Sequence, residues 1–122
     1  MKTLNDITQE AIKEVMKQYG AFWCFSTKQF EEQREPGKEY GNCGAGLVCY
    51  KGKGGELIDA MDKVYKEGFK QWVEMYGLDA IILYELNNHE CFYTYDASDA
   101  VDKLAPYGVS EEQVLEVFRK NL

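Results

Sequence analysis

The sequence predicts an α+β fold in which a mixed or antiparallel sheet of about four strands is packed by a long central helix and by N- and C-terminal helices. Three observations predict it. An apolar stripe recurs at helical spacing from about Gly55 to Tyr76. Short uncharged runs, "AFWCFS", "GLVCY" and "AIILY", have the length and composition of strands. Capping-box spacings mark helix starts at Ser26 and Ser110. By length the chain is one domain, residues 1–122, and a hydrophobic fraction of 45% supports a core without disulfide staples.

Taken in order, Ile7, Ala11, Ile12, Val15 and Met16 share one face of a first helix that starts at about Asn5 or Thr8 and ends at Gln18, stopped by Gly20. "AFWCFS" reads as a buried strand. Ser26 and Gln29 cap a short helix, "TKQFEEQRE", that Pro36-Gly37 ends. "KEYGNCGAG" reads as a glycine-rich loop leading into the strand "GLVCYK". After "KGKGG", the residues Leu57, Met61, Val64, Phe69, Trp72 and Tyr76 carry the stripe of the central helix, with Gly77 as its C-cap. "DAIILYEL" and "HECFYTY" read as a hairpin over about residues 79–95, turning at Asn87-Asn88, which can take positive φ. Asp96 or Ser98 caps a helix to about Ala105, "PYG" breaks it, and Ser110 with Gln113 opens "SEEQVLEVFRKNL".

No apolar run approaches the roughly 20 residues that span a bilayer, and no signal-peptide pattern opens the chain, so a cytoplasmic protein without a membrane partner is expected. Cys24, Cys43, Cys49 and Cys91 are expected to be reduced thiols. The net charge of -7 is uneven: residues 77–122 carry three basic and nine acidic side chains. That pattern speaks against direct nucleic-acid binding, which needs a cationic footprint, and favours a partner with a basic surface.

In the predicted hairpin Glu85 faces Glu90 and Tyr84 faces Cys91. Facing carboxylates repel unless water, a cation or a basic partner separates them, so the pair is either an acid/base couple or a hydrated tip. The hydrated tip is the simpler reading. His89 and Cys91 point the same way on a strand and invite a zinc or Cys-His reading, but Cys43-x5-Cys49 with two distant single thiols is a poor zinc pattern. "GNCGAG" precedes a strand, whereas a dinucleotide fingerprint follows one. "YKGKGGE" joins a strand to a helix N-terminus, where Lys51, Lys53, Gly54 and Gly55 make a candidate anion site; it lacks the ending of a P-loop, and loop flexibility alone explains the glycines. No catalytic residue, metal ligand or cofactor is assigned.

Asp96, Asp99 and Asp102 recur at one helix start and Glu111, Glu112 and Glu116 at the next. The helix dipole accounts for part of this. It does not account for the scarcity of lysine and arginine among them. With Glu85, Glu90, Tyr93 and Tyr95, these residues form a candidate partner-binding surface, acidic and rich in tyrosine.

In the stretches "GAFWCFSTKQFEEQ", "GAGLVCY", "GLDAIILYELNNHECFYTYD" and "PYGVSEEQVLEVFRK", the chain resembles uncharacterised small acidic proteins of phages, plasmids and other mobile elements of gut bacteria. The resemblance spans most of the chain and implies an anti-CRISPR-like inhibitor that mimics nucleic acid; it carries over no catalytic residue. The expected function is therefore a non-enzymatic inhibitor or adaptor, monomer or homodimer, that binds a host protein such as a nucleic-acid-targeting defence nuclease. The alternative is a small-molecule or nucleotide-binding protein, or a small enzyme, using the YKGKGG loop and the NNHEC segment.

Overall fold

In the computed structural model, which describes all residues from Met1 to Leu122, the first helix begins earlier than its apolar stripe suggests. Thr3 and Asp6 supply the cap. The Thr3 hydroxyl accepts from the Asp6 N–H at 3.1 Å, and the Asp6 carboxylate accepts from the Thr3 N–H at 2.9 Å. This reciprocal box opens α1, Leu4–Gln18, and its hydrogen bonds hold the Asp6 carboxyl below its ordinary value. The chain falls into two compact units, Met1–Gly68 and Phe69–Leu122, each of which has its own architecture.

The first unit holds the sheet. It has three strands rather than about four, all antiparallel: β1 (Phe22–Trp23), β2 (Tyr40–Gly44) and β3 (Leu47–Tyr50), in the order β1-β3-β2. "AFWCFS" contributes only two paired residues, and Trp23 and Phe25 are 47% and 76% exposed, so the buried strand expected there is a short edge. "KEYGNCGAG", expected as a loop, is β2 plus a tight turn. Ala45 and Gly46 both have positive φ, 51° and 86°, the conformation a two-residue hairpin turn requires. The hairpin of this molecule is therefore here, at residues 40–50. Between β1 and β2 lies α2, Thr27–Gln33, whose cap is one-sided: Ser26 Oγ accepts from the Gln29 N–H at 3.2 Å, while the Gln29 side chain turns to the Phe25 N–H at 2.7 Å.

Strand alternation gives the sheet two different faces. Leu47 and Cys49 join Leu57 in a buried cluster, with Val15, Met16 and Met61 packed around it. Phe22, Phe30, Tyr40 and Tyr50 form a chain of rings with centroids 5.5 to 6.1 Å apart. Its end is tied down by the Tyr50 hydroxyl, which donates to Glu35 at 2.5 Å and is thereby held above its ordinary pKa.

The stripe of the central helix is borne out. It forms α3, Gly54–Tyr76, which gives its first fifteen residues to the first unit and the rest to the second. Leu57, Phe69 and Trp72 are buried. Gly68 is buried against Thr8, whose Cγ2 would collide with any Cβ placed there, so only glycine permits the α1–α3 approach.

The second unit is all helix, and here the predicted hairpin over residues 79–95 is corrected. Gly77, with φ 85°, ends α3; α4 (Leu78–Asn88) follows at once, then α5 (Cys91–Thr94), α6 (Ser98–Leu104), a 3-10 turn (Ala105–Tyr107) and α7 (Glu111–Lys120). The physical reason is visible in which side chains are buried. Ile81, Ile82, Glu85 and Leu86 are all inside, the i, i+1, i+4, i+5 spacing of a helix, whereas a half-buried strand would hide alternate residues. Asn87 and Asn88 are the last turn of that helix, not a hairpin turn. The helix α4 packs against α5, α6 and α7. Phe69 stacks on Tyr107 at 4.4 Å and Phe92 on Phe118 at 5.2 Å, closing a core that also contains Trp72, Ala100, Leu104 and Val114. The Ser110–Gln113 box is reciprocal, as its spacing predicts.

Candidate functional site

A single turn of helix separates the two residues that shape the most distinctive surface of the second unit. Glu90 and Tyr95 flank α5 and both adopt the left-handed conformation, φ 55° and 57°, uncommon for residues with a side chain. This tight path sends Tyr93 and Tyr95 into solvent, 86% and 79% exposed. Directly after it the Asp96 carboxylate accepts from the Ser98 N–H at 2.9 Å and from the Ser98 hydroxyl at 2.5 Å. Those two bonds lower the Asp96 pKa from its ordinary value, keeping a charge at the start of α6.

Beside Asp96 lies a cleft of about 410 Å³ between α6 and α7. Asp96, Asp102 and Glu111 bring carboxylates to it, Tyr95 a ring, and Val101 and Phe118 an apolar lining; none of its lining residues is basic. An apolar surface edged with carboxylates matches the aliphatic stem and cationic head of lysine or arginine. The remaining acids lie nearby in the chain. Asp99 is exposed on α6, Glu112 and Glu116 are exposed on α7, and Glu116 carries a surface ion pair to Lys120 at 3.3 Å. Glu90 is exposed at its left-handed position.

Glu85 does not belong to that surface. It is only 5% exposed, and its Oε2 lies 3.2 Å from His89 Nε2 one helical turn on, an ion pair when the imidazole is protonated. Neither atom finds a hydrogen-bond partner of good geometry. The facing Glu85–Glu90 pair expected from a hairpin register therefore does not exist. Cys91 is fully buried, and burial, ahead of the nearby Asp99 and Asp96 charges, pushes its thiol up, the opposite of what an activated nucleophile needs.

In the glycine-lysine loop both lysines carry exposed surface ion pairs. Lys51 pairs with Glu39 at 3.6 Å and Lys53 with Glu56 at 3.1 Å, while Gly54 and Gly55 are the first residues of α3. No group of three or more histidine, cysteine, aspartate or glutamate side chains is placed to hold a metal ion, and no helix is long and apolar enough to cross a membrane.

A family model described as "Family of unknown function (DUF7659)" matches residues 4–121. The chain belongs to DUF7659. No curated protein and no solved structure matches it. The match runs from the first residue of α1 to one past the end of α7, so in this DUF7659 chain both the sheet and the acidic cleft fall inside the family's span. Of the cleft, sequence reasoning identifies the acids and the tyrosine and misses Val101, Leu115 and Phe118. Their signal was present: each is an apolar residue on a short helix that also carries the acids of the cleft.

Proposed function

We propose that this DUF7659 chain is a non-enzymatic inhibitor or adaptor that binds a basic segment of a host protein through the acidic cleft of its second unit. One observation carries the reading: Asp96, Asp102, Glu111 and Tyr95 converge on one cleft that has no basic lining residue. The charge balance supports it, since residues 69–122 hold ten acidic and four basic side chains and the first 68 residues are nearly neutral. An acidic, tyrosine-rich surface of this kind competes with phosphates for a nucleic-acid channel. That, with the resemblance to proteins of mobile elements, makes a defence nuclease such as a CRISPR effector the proposed partner class.

The test is affinity capture from host cells with mass spectrometry, followed by binding measurements on the recovered partner. Wild-type protein and the triple variant Asp96→Lys, Asp102→Lys, Glu111→Lys are compared, with folding of both checked by circular dichroism. The triple reversal is expected to weaken binding by about tenfold or more. Equal affinity of the two proteins would show that the cleft is not the binding surface.

A further inference from the structure

Two cysteines six positions apart in the sequence meet within the hairpin of the first unit. Along β3 the partner of Cys49 is Gly41, which has no side chain. Along β2 the register slips between Asn42 and Gly44, which makes Cys43 the bulged residue. The vacant place opposite Cys49 and the re-aimed Cys43 together bring the two sulfurs to 3.1 Å. Gly54 lies beside Cys43, where a Cβ would stand in ordinary contact, 3.4 Å from its sulfur. Cys49 is buried beside Leu47 and Leu57, and Cys43 is half-buried at the edge of the same cluster.

We propose that Cys43 and Cys49 are a reversible dithiol–disulfide pair, oxidised by a low-molecular-weight disulfide, that staples the β2–β3 hairpin. The sulfurs need to approach from 3.1 Å to about 2.05 Å. Exposure sets the order of events. The Cys43 thiolate attacks one sulfur of the small disulfide; a mixed disulfide forms, the small S–S bond breaks, and one thiolate leaves. Cys49 then gives its proton to that thiolate and attacks the Cys43 sulfur, expelling the second small thiolate, which takes a proton from water. Two electrons pass from the pair to the small disulfide, which ends as two thiols. Burial, reinforced by the adjacent Cys43 thiol, pushes the Cys49 thiol up to about 11, which suits it to the resolving rather than the attacking role.

Incubating the full chain with oxidised glutathione, then measuring intact mass and mapping peptides, tests this. Wild-type protein is expected to lose two hydrogen masses, keep no glutathione adduct, show a Cys43–Cys49 link, and return to its starting mass with a dithiol reductant. Cys49→Ala is expected to retain one glutathione on Cys43, and Cys24→Ser to behave as wild type. Cys49→Ser, with circular dichroism alongside, serves if the alanine variant does not fold. The proposal fails if wild-type protein accumulates the adduct on Cys43, links through Cys24 or Cys91, or never loses the two hydrogen masses.

Discussion

Glu85 and His89 show how one side chain can look functional in a sequence and turn out to serve the interior. The buried Glu85 turns its Oε2 to a partly exposed imidazole, and neither facing atom has a well-aligned hydrogen bond. Removing the imidazole leaves that oxygen without its neighbour. His89→Leu is expected to destabilise the second unit by about 1–3 kcal/mol, the penalty of an unsatisfied buried polar group. The double variant Glu85→Leu, His89→Leu is expected to recover most of that loss, since an apolar pair of similar volume often replaces a buried ion pair without harm. Denaturant unfolding of the two variants decides it, and a double variant no better than the single would be the contrary result. Asp96 makes a pH prediction. Its folded pKa is depressed, so the stabilisation from its bonds to Ser98 is fully present above the unfolded value of about 4 and is lost as pH falls through the lower folded value. The stability difference between wild type and Asp96→Ala should be constant above about pH 4 and shrink below it. A difference that stays constant into acid would mean the carboxylate is not held by those bonds.

At the scale of elements, the α1–α3 contact turns on one glycine. Alanine in a helix interior is favoured over glycine by about 1 kcal/mol, but overpacking a filled site costs about 1–3 kcal/mol. The collision with Thr8 Cγ2 should win, making Gly68→Ala destabilising in the wild type. Thr8→Ser keeps the hydroxyl that donates to the Leu4 carbonyl at 2.9 Å and removes the methyl. In that background the same Gly68→Ala change is expected to stabilise, and unfolding curves showing the same sign in both backgrounds would refute the close approach. The element that sequence reasoning misplaced, α4, failed for a related reason. The run Ile81-Ile82-Leu83-Tyr84 has strand propensity, while Leu78, Ala80, Glu85 and Leu86 around it favour helix, and propensity is a weak prior against tertiary burial. The converse error befell β2, where glycines read as a loop are paired strand residues, Gly41 and Gly44, and part of the turn, Gly46, of a hairpin.

For the whole molecule, charge is the property that reaches beyond its own contacts. In the binding proposed for the cleft, the acids of the second unit, nine of them exposed, would act together on a basic segment, and salt screens such an interaction over about 10 Å at 0.1 M ionic strength. The binding proposed for the cleft is accordingly expected to weaken as salt rises, and the triple reversal to flatten that dependence; an affinity indifferent to salt would point to an apolar interface instead. The α+β class, α1, α3, the strand at Leu47–Tyr50 and the α7 capping box were legible in the sequence, because each rests on a local pattern: a periodic stripe, a short uncharged run, a serine three residues before a glutamine. So was the acidic character of the last third, which needs only counting. What only the tertiary structure decided was whether an apolar run such as "AIILY" closes a sheet or fills a helical core, because burial on two adjacent positions is set by what packs around them and not by the run itself. The same holds for Glu85, turned inward by α4, and for Cys43 and Cys49, brought together by a bulge that no spacing rule announces.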